Sequence, residues 1–144
     1  MINLLLIVED DIGLQKQLKW SFDQYENLVA GNRQEALEAV NRYAPDVVIL
    51  DLGLPPDPTN ASEGLKTLTE ILTVKPTTKV IVVTGNNDLN NAAQAIELGA
   101  YDFYQKPVDP DVLGKIIERA FQTSALIRHD QSNEVLNDCF DPLC

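Results

Sequence analysis

The sequence predicts an α/β fold: one parallel sheet with helices packed on both of its faces. Three observations point there. Short, nearly continuous apolar runs recur along the chain. Each is followed by a longer segment whose apolar residues fall at helical spacing. At 144 residues, the chain is long enough for one domain with a full core and too short for two.

The runs Leu4–Val8 (LLLIV), 47–50 (VVIL) and 80–83 (VIVV) contain no polar residue, as strands buried on both faces require. Residues 28–30 and 101–104 are weaker strand candidates. Leu14, Leu18, Phe22 and Tyr25 form one face of a first helix. Ala36, Leu37, Val40 and Ala44 form a second, with Asn32 and Glu35 spaced as a capping pair. Leu65, Leu68, Ile71 and Leu72 mark a third helix, stopped by Pro76. Ala92, Ala93, Ile96 and Ala100 mark a fourth, with Gly99 as its C-terminal stop. The fifth carries Leu113, Ile116, Ile117, Ala120 and Phe121. It starts at Asp109-Pro110, a cap followed by proline at the first helical position. Strand and helix alternate strictly, so the strands are joined by crossovers and run parallel.

Charge and composition exclude several functions. Eleven basic against 22 acidic residues give a net charge of −11, which repels nucleic-acid phosphates. No apolar run approaches the roughly 20 residues of a membrane helix. Acidic residues follow the first apolar run too soon for a signal peptide, and the expectation is a cytoplasmic protein. Cys139 and Cys144 stand in the tail without a matching His or Cys pair, and read as free thiols.

In open parallel sheets, ligands bind beyond the carboxyl ends of the strands. Glu9, Asp10 and Asp11 follow the first strand, Asp51 the third, Thr84 the fourth and Lys106 the fifth. All of them project toward one edge. Two carboxylates about 5 Å apart repel by roughly 3 kcal/mol at an effective dielectric near 20. Such a cluster needs a hard divalent cation or a carboxyl group with a raised pKa. Oxygen ligands with room for water suit Mg²⁺, and a carboxylate beside it can attack phosphorus. Asp11 alone reads better as an N-cap, where an acid favours the helix dipole.

The segments LLIVEDD, VVILDLGLP, VIVVTG and FYQKP, in this order, resemble the signature of response regulator receiver domains over about residues 1–124. The resemblance implies a (βα)5 flavodoxin-like receiver fold with strand order 2-1-3-4-5. It implies that Asp51 accepts a phosphoryl group from a sensor histidine kinase, in a two-component phosphorelay. Glu9, Asp10, Asp51 and the Gly53 carbonyl would bind Mg²⁺. Thr84 and Lys106 would stabilise the transferring group, and Thr84 and Phe103 would act as switch residues. A cis Lys106-Pro107 bond and a homodimer through helix 4, strand 5 and helix 5 are also implied. Such a domain catalyses only its own phosphoryl transfer and dephosphorylation, so it is not an enzyme in the usual sense. Phe103 also reads as ordinary strand packing.

Local features refine the resemblance. Glu9 stands where aspartate is commoner. Gly85, after Thr84, puts no side chain in the way of the phosphoryl site. Gly64 lies thirteen residues beyond Asp51, and Pro55, Pro56 and Pro58 should stiffen that long loop. The VTG motif together with this loop is similar to nitrogen-regulator receivers, and to regulators associated with the PEP-CTERM exosortase system. Those carry a sigma-54-interacting ATPase and a DNA-binding domain that are missing from this chain. Residues 125–144 are expected to form a helix extension or a linker tail.

Two rivals from other classes fit less well. An aspartyl phosphohydrolase wants a second acid two residues after its nucleophile, where this chain has Gly53. A mononucleotide-binding module wants a phosphate loop after the first strand, where this chain has acids. A receiver that serves only as a binding module would lack some of the expected residues, and here every such position is filled.

Overall fold

Strands with no polar residue cannot face water on either side, and the arrangement follows from that. The computed structural model describes residues 3–54, 61–85 and 89–140, with the backbone alone described at 89 and 127–140. Its elements in chain order are β1 (Leu4–Val8), α1 (Ile12–Ser21), β2 (Glu26–Ala30), α2 (Arg33–Tyr43), β3 (Val47–Asp51), α3 (Ser62–Val74), β4 (Lys79–Thr84), α4 (Leu89–Glu97), β5 (Asp102–Gln105) and α5 (Pro110–Phe140). The five strands form one parallel sheet in the order β2-β1-β3-β4-β5. The expected fold class and strand order are both present.

Alternation along each strand divides the core in two. Leu6, Val8, Val48, Leu50, Val80 and Val82 pack under α2, α3 and α4. Leu5, Ile7, Val47, Ile49, Ile81 and Val83 pack under α1 and α5, against Leu18, Phe22, Leu113, Ile117 and Phe121. Each large side chain so buried stabilises the fold by roughly 1.5–3 kcal/mol. The central strands are thus fixed from both sides up to their carboxyl ends.

The edge strands differ from the sequence expectation in extent. β2 begins two residues earlier, at Glu26, because an edge strand tolerates the half-exposed Glu26 and Asn27. β5 is shifted by one residue, to Asp102–Gln105, and Phe103 on it is 38% exposed. Packing in the core is therefore not its role.

The helix ends follow the predicted chemistry. Asn32 accepts from the Glu35 amide at 2.9 Å, and Glu35 reaches back to the Gly31 amide at 2.7 Å. Asp109 caps α5 by accepting from the Asp111 amide at 3.0 Å. α3 stops at Val74, and α4 is terminated by Gly99 at φ +112°. Lys75 donates to the carbonyls of Ala44 and Pro45 at the end of α2 and pairs with Asp46 at 3.1 Å. A cation suits a helix C-terminus. α5 runs on through the expected boundary near residue 124 to Phe140. Pro55, Pro56 and Pro58, the side chain of Cys139, and Cys144 lie outside what is described.

Gly64 has a specific reason. A Cβ there would stand 2.4 Å from both the Cα and the carbonyl oxygen of Leu52, the residue after Asp51. The first turn of α3 therefore lies directly on the backbone that presents Asp51. In an ordinary helix interior, Gly→Ala stabilises by about 1 kcal/mol. Gly64→Ala should instead destabilise by about 1–3 kcal/mol through overpacking. Urea unfolding of the two proteins measures the difference, and a stabilised variant would contradict the contact.

Candidate functional site

Four strand ends meet at one edge of the sheet. Glu9 and Asp10 leave β1, Asp51 is the last residue of β3, Thr84 the last of β4, and Lys106 follows β5. Carboxylate oxygens of Glu9, Asp10 and Asp51 lie within 4.8 Å of one another. The Lys106 Nζ stands 3.5 Å from Glu9 Oε1 and 3.5 Å from Asp51 Oδ2. Glu9 is 3% exposed, Asp51 6% and Thr84 2%, whereas Asp10 faces solvent. Asp11 is not part of this group. It caps α1, accepting from the Leu14 amide at 3.1 Å.

Backbone bonds carry the sheet's order into the site. The Glu9 amide donates to Ala30, the Leu52 amide to Val83, and the Lys106 amide to Thr84. The Gly53 amide donates to Asp51 Oδ1 at 3.0 Å, which leaves Oδ2 on the side of Lys106. Two supports were not evident from sequence. Gln15, one turn into α1, donates its side-chain amide to the Glu9 carbonyl. Gly64 brings α3 onto Leu52. The signal for Gln15 is a polar residue at a half-buried position of the first helix.

The electrostatics follow from the packing. Val8, Leu14, Leu18, Ile49, Val83, Val108 and Leu113 line a small apolar cleft beneath Glu9 and Asp51. Burial, then a hydrogen bond to Asp51 and the charge of Asp51, push the Glu9 carboxyl up to about 8. Burial opposes the charge on Lys106, yet the negative charges of Asp51 and Glu9 outweigh it and raise the ammonium's pKa. One ammonium does not compensate three carboxylates. The donor set is oxygen only and open on the Asp10 side, which fits a hard divalent cation.

This arrangement coincides with a known family. Residues 5–118 match the response regulator receiver domain family. The chain belongs to it. This receiver is 33% identical to the regulatory protein AtoC of Escherichia coli over 133 residues, covering 89% of this chain and 28% of AtoC. It is 28% identical to sporulation initiation phosphotransferase F of Bacillus subtilis, covering 83% of this chain and 94% of that protein. Among solved structures, NtrX from Brucella abortus superposes with a TM-score of 0.83 at 32% identity, over 93% of this chain and 30% of NtrX. The receiver thus spans less than a third of AtoC and of NtrX. It is a two-component signalling module with an acidic pocket of Glu9, Asp10 and Asp51, and not a conventional enzyme.

The Glu9 shift has a sign that can be tested. A folded-state pKa of about 8 lies above the model-peptide value of 4.5, so the native state binds this proton more tightly than the unfolded chain. That contribution to stability is fully present below pH 4.5 and is lost as pH rises through 8. In EDTA, Glu9→Gln should melt like the parent near pH 4.5 and several degrees higher at pH 8.5, at about 3 °C per kcal/mol. Melting curves that stay parallel across this range would remove Glu9 as the strained group.

Proposed function

We propose that Asp51 accepts a phosphoryl group from a sensor histidine kinase and that the receiver passes this signal to an output domain or partner. The observation that carries the reading is the convergence of Glu9, Asp10 and Asp51 within 4.8 Å, with Lys106 at 3.5 Å from two of them. An Asp51 oxygen attacks phosphorus in line with the departing imidazole nitrogen. The new P–O bond forms as the P–N bond breaks, and the imidazole leaves neutral or takes a proton from solvent. Glu9, Asp10, Asp51 and the Gly53 carbonyl would hold Mg²⁺. When bound, that ion neutralises charge on the nucleophile and on the transferring group. Lys106 supplies a fixed positive charge to the phosphoryl oxygens, and the Thr84 hydroxyl donates to one of them.

Phosphorylation replaces the single negative charge of the Asp51 carboxylate with about −1.5 to −2 on the phosphoryl group, a net gain of up to about one negative charge at this edge. Thr84 and Phe103 answer it as switch residues. The outward Phe103, with no hydroxyl, has only packing to drive an inward turn. Exposed Ile96, Leu98 and Phe103 on or beside α4 and β5 support a homodimer through α4, β5 and α5. The likeness to AtoC and NtrX supports the nitrogen-regulator class, with a sigma-54-interacting ATPase and a DNA-binding domain as output. The PEP-CTERM-associated type rests on the VTG motif and the long loop alone. In this reading residues 1–124 are the receiver, 125–144 its C-terminal helix extension or linker tail, and the setting is cytoplasmic transcription regulation. No helix among the described residues is long and apolar enough to cross a membrane.

With Mg²⁺ and acetyl phosphate, the intact mass should rise by one phosphoryl group, and Asp51→Asn should show no gain. Repeated turnover of varied phosphate esters would favour a phosphohydrolase instead. A second outcome concerns access. Among the described residues, a Cβ on Gly85 would meet nothing within 4 Å, which leaves an opening beside Thr84 for a larger side chain to fill. Gly85→Met should slow loss of the phosphoryl group several-fold. Decay as fast as the parent's would show that this opening does not govern hydrolysis.

A further inference from the structure

Lys106 reaches the carboxylates from a short connection, residues 106–109, between β5 and α5. Its ammonium stands at 3.5 Å from each partner, longer than a good charged hydrogen bond. The carboxylates therefore hold it loosely, and the backbone that carries it must set its place. That backbone is fixed at its start, where the Lys106 amide donates to the Thr84 carbonyl at 2.8 Å. Beyond Lys106, Asp109 is tied to α5 by its cap bonds to the Asp111 and Leu113 amides, and a tyrosine side chain ties the loop back to β5. The Tyr104 hydroxyl donates to the Pro107 carbonyl at 3.2 Å and accepts from the Asp109 amide at 2.7 Å. The phenol thus uses its one proton and one lone pair to bridge the loop across Val108. Its ring packs, partly buried, on the cluster that also takes Val108, beneath the site. The next residue back, Phe103, points to the other side of β5 and makes no such bridge.

We propose that Tyr104 is the positioning residue for Lys106: its hydroxyl clamps the 106–109 loop so that the ammonium sits where a phosphoryl group on Asp51 needs it. The proposal rests on the reading of Asp51 as phospho-acceptor. A displacement of about 1 Å at such a site lowers rates by up to about a hundredfold. A loop freed at one of its anchors should lose less, about tenfold.

Tyr104→Phe removes the hydroxyl and keeps the ring in the core, so the fold is retained. Rates of phosphorylation by acetyl phosphate are measured by intact mass for the parent, Tyr104→Phe, Lys106→Ala and the double variant. Mg²⁺ affinity is followed by calorimetry. Expected are an about tenfold slower Tyr104→Phe, Mg²⁺ affinity unchanged within about twofold because the carboxylates are untouched, and no further loss when Tyr104→Phe is added to Lys106→Ala. A parental rate in Tyr104→Phe, or the same loss in both backgrounds, overturns the proposal, because Tyr104 would then act on something other than Lys106. A second arm needs no phosphoryl chemistry. Amide exchange at Asp109 should quicken about tenfold in Tyr104→Phe, as loss of one hydrogen bond of about 1.4 kcal/mol allows, and unchanged protection means that there is no clamp. A parent protein that takes no phosphoryl group would sink the phospho-acceptor reading by itself, and the exchange arm would still decide on the clamp.

Discussion

The crowding of negative charge at the carboxyl edge of the sheet is the constraint to which the rest of the molecule answers. Three carboxyl groups within 4.8 Å, two of them buried and faced by one ammonium, are an unfavourable arrangement for a folded chain. At an effective dielectric near 20, each close pair of charges repels by roughly 3 kcal/mol. The molecule relieves part of this by holding a proton on Glu9 up to about pH 8. The remainder must be opposed by apolar packing elsewhere. Both core clusters supply it, since β1, β3 and β4 are buried on both faces up to the residues that carry the charge.

That packing also explains why the site is held in position without a dense hydrogen-bond network of its own. Glu9 and Asp51 leave strands whose preceding side chains are buried, and the backbone ladder runs past the strand ends to Glu9, Leu52 and Lys106. Parallel topology is essential here. Only parallel strands bring Glu9, Asp51, Thr84 and Lys106, far apart in the chain, to a common edge with the same direction of approach. An antiparallel sheet with the same apolar runs would send alternate strand ends to the opposite side.

The legible parts of the sequence were those in which local pattern and tertiary role coincide. The apolar runs of β1, β3 and β4 can only be central strands, so sheet and site edge both followed from them. Asp11 separated from Asp10 because its spacing to Leu14 is that of a cap. The edge strands were less legible, because half-exposed Glu26 and Asn27 carry no apolar signal and β5 alternates over only four residues. The raised Glu9 pKa, the Gly64–Leu52 contact and the Tyr104 bridge had no local signature. Each depends on a distance between parts of the chain, or on a loop geometry, that composition and period do not encode. Phe103 illustrates the same limit: an aromatic residue in a strand pattern is ambiguous until the face it occupies is known.

The helices are not anchored equally, and the difference bears on how added charge at Asp51 can be felt elsewhere. α3 buries Leu65, Leu68 and Ile71, and α5 buries Leu113, Ile117 and Phe121. Among the described side chains of α4, Ala92 and Ala95 are the buried ones. A buried alanine contributes far less than the roughly 1.5–3 kcal/mol of a buried leucine or phenylalanine. α4 follows β4, whose last residue, Thr84, lies at the charged site. A charge placed on Asp51 acts first on Lys106 and Thr84, because these line the site. Lys106 sits on a loop tied at Thr84, Pro107 and Asp109, and α5 beyond it is deeply packed.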